Sequence, residues 1–264
     1  MPFATRLDGA RVLVTASSQG IGFGAAEAFV GEGARVVVNS SNPERTAAAV
    51  ARLGKSGEVH GVVADLRRQD DLDRLLAETL RHLGGLDTLV YVTGSPRPGT
   101  FLEQEYADWE RAASLLVVSP AYLARRAAEA MVAAGTRGRM VFLTSFAIRE
   151  PIPNLALSSV CRVAVAGLVR TLARELGPKG IRVNGILPGY IRTARVEEVT
   201  GDAARRRGVP AEQVLREIER DIPLGRLGTT EELARAVLFL GSDLSSYVSG
   251  AMLPVDGAIL RSTG

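Results

Sequence analysis

RVLVTASSQGIG, residues 11–22, decides the fold. Its first part, Arg11–Thr15, is a short β-branched run with the character of a buried strand. Its second part, Thr15-Ala16-Ser17-Ser18-Gln19-Gly20-Ile21-Gly22, is a turn of small residues that opens an apolar helical pattern over Gly22–Gly31. A tight strand-to-helix turn lets backbone N–H groups and the positive end of the helix approach a pyrophosphate, and glycine permits that approach. Many α/β proteins use such a turn only for packing, so its meaning depends on the rest of the chain.

Outward from this turn, β-branched runs alternate with alanine-rich helical stretches. Ala34–Asn39, Val59–Ala64, Leu86–Val92, Arg139–Thr144 and Ile181–Leu187 read as further strands, and Met252–Val255 as the last. Their continuous apolar character is that of a parallel sheet covered on both faces. Pro43–Leu53, Gln69–Leu83, Tyr106–Ala134, Leu155–Leu176 and Thr230–Leu240 carry apolar residues at helical spacing. This order predicts a three-layer, doubly wound α/β domain over residues 1–264 with about seven parallel strands. The one departure is the arginine-rich segment 192–222, expected to form a helical flap over the C-terminal edge of the sheet.

Composition narrows the partners. Net charge is only +3, and the basic residues are almost all arginine, with Lys55 and Lys179 the only lysines. The arginines alternate with acids along the helices, which reads as solvated faces rather than a nucleic-acid surface. No window reads as long or apolar enough to span a bilayer, and no metal cluster is expected. Residues 1–11 lack the basic-then-apolar order of a secretory signal, and the single cysteine, Cys161, suits a reducing compartment, so a cytoplasmic protein is expected. His60 and His82 fall on a strand and a helix away from the C-terminal sheet edge and read as bystanders.

The pattern from about Gly9 to Ala258 resembles the short-chain dehydrogenase/reductase family. Its TGxxxGxG turn is matched by Thr15 to Gly22, with Ala16 where the first glycine usually stands; alanine suits that place if its φ is negative. Asp65, followed by Leu66, matches the adenine-contacting aspartate, and Tyr91-Val92-Thr93-Gly94 stands in the place of NNAG. Ile181-Arg182-Val183-Asn184 and Pro188-Gly189-Tyr190-Ile191-Arg192-Thr193 match the segment lining the nicotinamide end, where the resemblance assigns the carboxamide contact to Thr193. Ser249-Gly250 and Val255-Asp256-Gly257 match the usual C-terminal motif. The resemblance therefore implies a nicotinamide dinucleotide. Asn39, Ser40 and Ser41 end the second strand without an acid to bond a ribose 2′-hydroxyl, and Arg45 follows, which favours NADP(H) and leaves NAD(H) possible.

The same resemblance implies a catalytic serine, tyrosine, lysine and asparagine. Ser145 matches the serine, but Ser158 stands at the tyrosine's place, Arg162 at the lysine's and Leu116 at the asparagine's. Ser158 is a far weaker acid than tyrosine, and a guanidinium holds its proton. Tyr190 is the first candidate for a substitute proton donor and Tyr91 the second; lining of a substrate pocket is the plainer role for both. Two functions compete, with a lyase or epimerase on the same fold as a third and lesser alternative. One is an NADP(H)-dependent oxidoreductase acting on a carbonyl or alcohol of a small substrate, with Arg192 and Arg195 placed to attract an anion. The other is a dinucleotide-binding homologue without turnover, serving as sensor, scaffold or partner subunit. The family's usual assembly implies a homodimer or homotetramer through 106–134 and 155–176, where Ala121, Ala124, Ala127 and Ala128 suit close helix approach.

Overall fold

The seven β-branched runs form one parallel sheet, each within a residue or two of its expected place. The strands are β1 (Arg11–Val14), β2 (Arg35–Ser40), β3 (Val59–Val63), β4 (Thr88–Tyr91), β5 (Arg139–Leu143), β6 (Arg182–Pro188) and β7 (Met252–Val255). They run in the order β3-β2-β1-β4-β5-β6-β7. The computed structural model describes residues 5–262; the tips of the expected 1–264 domain, residues 1–4 and 263–264, lie outside the described residues.

Alternate side chains of each strand feed opposite cores, as the period of two requires. Leu13, Val37, Leu89, Met140 and Val183 pack against α3 (Gln69–Leu83), α5 (Ser119–Ala133) and α6 (Ala156–Leu176). Val12, Val36, Val90, Val141 and Ile186 pack against α1 (Gly20–Gly31), α2 (Pro43–Leu53) and α9 (Thr230–Leu240). Local signals set the helix starts. The Asn42 side chain accepts from Arg45 N at 2.8 Å to cap α2, with Pro43 following. Thr229 and Glu232 form a capping box on α9.

The expected single helix over 106–134 is divided. A π-helical turn, Ser114–Val118, separates α4 (Tyr106–Ala113) from α5. Pro120 has no N–H and crowds the carbonyl of Leu116, which a widened turn relieves. A second expectation is corrected in α6: with the turn after it, residues Ala156–Lys179 are long and apolar enough to span a bilayer by length and composition. One face of α6 packs on the sheet; its outer face is apolar in the first half, with Val160 57% and Val163 49% exposed, and charged in the second, where Arg170, Arg174 and Glu175 are exposed.

The flap is helical as expected, built from α7 (Ala194–Arg207) and α8 (Ala211–Asp221). Val214 and Ile222 anchor it, and Arg207 grips Glu217 through two bonds of 2.6 and 2.9 Å. Arg206 reaches Glu103 at 2.8 Å, joining α7 to the short turn that precedes α4.

Candidate active site

The chain leaves β1 toward β2 on one side and returns to β4 on the other, so the two crossovers part at the C-terminal ends of β1 and β4. A crevice opens there, as it does at such switch points generally. The cleft measures about 780 Å³ and runs from Ser40 and Arg45 to Ser145 and Ser158.

Three expected contact residues build its entrance turn from behind. Thr15 is fully buried and bridges to β4, donating to Val92 O and accepting from Val92 N at 2.8 Å. Ser17, also buried, donates to Val14 O and accepts from Asn39 N. Neither of these two side chains lines the cleft. The Asn39 side chain donates to Val62 O and Ala64 O and accepts from Ala16 N. Asn39 touches the cleft, but its amide is committed to the turn. Ala16 itself has φ +44, so the negative φ on which alanine's fit to the turn is conditional is not what the turn adopts. This single residue adopts the left-handed conformation at a cost of about 1–2 kcal/mol, held by Asn39 and the following turn.

The turn fits a pyrophosphate. No side chain caps α1, so the N–H groups of Gly20, Ile21 and Gly22 lack protein partners among the described residues. Gly20 has φ +58, and a Cβ on Gly22 would meet Ala16 O at 2.4 Å. Ser18, Gln19, Gly20, Ile21 and Gly22 all line the cleft. Beyond them lie Ser40, Ser41, Arg45, Asp65 and Leu66. Arg67 binds Asp65 at 2.7 Å, and that bond holds the Asp65 carboxyl below its usual range. Arg45, exposed, lines the cleft and forms no ion pair among the described residues.

Ser145, Ser158 and Arg162 meet at the other end of the cleft, together with Thr93, Gly94, Pro188, Gly189, Ile191 and Thr193. Ser158 and Arg162 share a face of α6 because they stand four apart. Arg162 donates through Nε to Ser158 Oγ at 3.1 Å, through Nη1 to Thr144 O at 3.5 Å and through Nη2 to Gly94 O at 3.3 Å. The residue is only 7% exposed, and burial pulls its guanidinium down to about 10. Ser145 Oγ accepts from Ala147 N at 3.1 Å, which leaves its own proton for a ligand.

The structure places the two expected substitute donors elsewhere. Tyr190 turns from the cleft into a separate hollow with Leu224 and Arg226, its ring 5.5 Å from that of Phe146. Tyr91 lies behind the cleft wall, 2% exposed, bonded to Ser119 Oγ at 2.7 Å. Burial raises both hydroxyls above the usual tyrosine range. Leu116 joins Leu157 and Cys161 in an apolar cluster, so the asparagine's place is dry and Cys161 is packed. His60 and His82 stack on each other, centroids 4.3 Å apart, outside the cleft. Arg195 lines the cleft and pairs with Glu198 at 2.7 Å, whereas Arg192 lies outside it.

The segment Ser95-Pro96-Arg97-Pro98 also lines the cleft and was missed in the sequence. Its position after a central strand was a usable signal, because ligands sit beyond the carboxyl ends of such strands.

Comparison with known proteins places this arrangement. The sequence model of the family described as Enoyl-(Acyl carrier protein) reductase matches residues 15–258. Human dehydrogenase/reductase SDR family member 2, mitochondrial, is 34% identical over 94% of this chain and 86% of its own. L-sorbose reductase from Gluconobacter frateurii, solved with NADPH and L-sorbose, superposes with a TM-score of 0.92 at 28% identity, covering 98% of this chain and 100% of that one. A short-chain oxidoreductase from Pseudomonas aeruginosa PAO1, described as containing an atypical catalytic center, superposes at 0.88 with 31% identity, covering 97% and 99%. With its seven-stranded parallel sheet, its glycine-bearing turn and these relatives along almost its whole length, the chain belongs to the short-chain dehydrogenase/reductase family.

Proposed function

We propose that this protein is an NADP(H)-dependent oxidoreductase interconverting a carbonyl and an alcohol on a small substrate, with Ser158 passing the proton in place of the family's tyrosine. Family membership supports the broader class, a nicotinamide-dependent oxidoreductase. The observation that carries the finer reading is the 3.1 Å bond from buried Arg162 to Ser158 at the floor of the cleft.

When bound, the nicotinamide supplies or accepts the hydride. The turn Ser18–Gly22 holds the pyrophosphate, Thr193 takes the carboxamide, and Arg162 offers an N–H to the ribose hydroxyls. Arg45, lining the cleft with no acid at Ser40 or Ser41, supports the 2′-phosphate of NADP(H) over NAD(H). Ser145 and Ser158 each have their oxygen occupied as an acceptor, so each directs its proton to the substrate oxygen. In the reductive direction the new alkoxide takes the Ser158 proton. Arg162 steadies the seryl oxygen through Nε–H until a proton from bulk solvent, passed along water in the open cleft, restores the hydroxyl, so that each reduction consumes one solvent proton. Preorganised donors of this kind are each worth about 10²–10³ in rate. The flap, 192–222, forms the substrate cover. The exposed apolar face around Tyr106, Val160 and Val163 supports a homodimer or homotetramer, and the single packed cysteine supports a cytoplasmic protein.

The second reading, a dinucleotide-binding protein without turnover, is favoured by the dry Leu116 cluster. NADPH fluorescence titration followed by a carbonyl-substrate panel separates the two. The proposal expects NADPH binding and turnover that Ser158→Ala lowers about 100-fold or more. Binding with no turnover across aldehydes, ketoses, oxo acids and quinones selects the second reading, and failure to bind NADPH or NADH overturns both.

A further inference from the structure

Ala16 carries a side chain where the backbone has φ +44, the left-handed region that favours glycine. Among the described residues Arg6, Asn154 and Ala258 also have positive φ, but Ala16 alone of the four lines the cleft. The conformation has consequences there. A Cβ on Gly22 would meet Ala16 O at 2.4 Å and Ser17 Cα at 3.0 Å, so residues 16 and 17 lie directly against the first turn of α1. That turn has no side-chain cap, and its free N–H groups are the ones a pyrophosphate would meet. Relaxing Ala16 to negative φ would swing its carbonyl, and the residues that follow, away from this arrangement.

What opposes that relaxation comes from the neighbouring strand. Asn39, 1% exposed near the end of β2, holds the turn in three places. Its backbone O accepts from Ser17 N at 2.8 Å, its N–H donates to Ser17 Oγ at 3.0 Å, and its side-chain Oδ1 accepts from Ala16 N at 3.2 Å. The amide has one orientation, because Nδ2 donates to Val62 O at 3.2 Å and to Ala64 O at 3.0 Å. A flipped amide would set an oxygen against two carbonyls and an NH2 against an N–H. The first two of the three bonds use the Asn39 backbone and survive any change of its side chain. Only the third reaches the strained residue.

Resting on the dinucleotide-binding reading above, we propose that Asn39 is a positioning residue for the pyrophosphate, setting dinucleotide affinity by locking Ala16 in the left-handed conformation. Its amide is spent within the protein and acts through Ala16. The lock matters only because residue 16 has a Cβ. A glycine there adopts positive φ without the steric cost and needs no lock. Asn39 also staples β2 to the end of β3 through Val62 O and Ala64 O, and that role does not depend on residue 16.

The test is a double-mutant cycle on the whole protein, with NADPH and NADH affinities measured by calorimetry and folding followed by thermal melting. Asn39→Ala is expected to weaken both dinucleotides about tenfold, since both carry the pyrophosphate. In an Ala16→Gly background the same substitution is expected to cost less than about twofold. That rescue separates the lock from the staple, which a glycine at residue 16 cannot restore, so the melting temperature falls with Asn39→Ala in both backgrounds. Should Asn39→Ala melt below the assay temperature, the cycle is run with Asn39→Ser, whose hydroxyl is one bond shorter than the amide. An equal loss of affinity in the two backgrounds overturns the proposal. So does a loss confined to NADPH, which would put Asn39 at the 2′-phosphate. Undiminished binding by Asn39→Ala also overturns it and leaves the dinucleotide reading standing. If the wild-type protein binds neither dinucleotide, both fall.

Discussion

Replacing Arg162 by methionine is expected to make the ligand-free protein more stable while removing its function. The magnitude follows from burial. Burial pulls this guanidinium down to about 10, more than a hundredfold below its ordinary proton affinity. At about 1.4 kcal/mol per tenfold change in proton affinity, keeping the charge in place costs the fold roughly 3 kcal/mol. Methionine matches the length of the stem and carries no charge. It gives up three long hydrogen bonds, of 3.1, 3.5 and 3.3 Å, whose acceptors border the cleft and can take water instead. Subtracting about 0.5 kcal/mol for each of those three bonds, roughly 1.5 kcal/mol together, leaves a net gain of about 2 kcal/mol. For a chain of this size, that is a rise in Tm of roughly 4–8 °C. Urea and thermal denaturation of the ligand-free protein measure the gain, and NADPH titration of the same samples measures the loss of binding. A variant destabilised by more than about 1 kcal/mol would refute the reasoning, because Arg162 would then be a compensated structural residue rather than a charge held ready for a ligand.

Three further outcomes are expected. Tyr190→Phe leaves kcat/KM within about twofold, since its ring faces another hollow, whereas Ser145→Ala lowers it about 10²–10³-fold; steady-state kinetics on one substrate decides both. Arg45→Ala weakens NADPH binding about tenfold and leaves NADH binding unchanged, as read by fluorescence titration; an equal loss for both dinucleotides would place the 2′-phosphate elsewhere. Stability also falls as the pH drops below about 6.5. Burial, then Arg81, then the stacked His60 lower the proton affinity of His82, so the fold favours its neutral form. That contribution is present above the unfolded value near 6.5 and is lost as pH falls through the lower folded value. Urea midpoints at pH 7.5 and pH 5 should converge in His82→Asn relative to the wild type.

The sequence by itself determined the sheet. Runs such as Arg35–Ser40 and Arg182–Pro188 are apolar on both faces, and only a covered parallel strand hides both. Local chemistry also set boundaries, as with Asn42-Pro43 at the start of α2. The sequence placed Ser145, Ser158 and Arg162 together too, because i and i+4 share a helix face and strand ends share an edge. It could not tell a side chain that faces the cleft from one that faces its wall. Thr15, Ser17 and Asn39 spend their side chains on backbone groups behind the turn, and Tyr190 turns toward Phe146. Those choices depend on partners tens of residues away. The positive φ of Ala16 has the same origin, since the bond from Ala16 N to Asn39 Oδ1 forms only when β2 lies beside β1. Only tertiary structure left Arg162 without a counter-ion. Charge pairing is a matter of three-dimensional neighbours, and a chain with 29 acidic residues brings none of those described within reach of that one arginine.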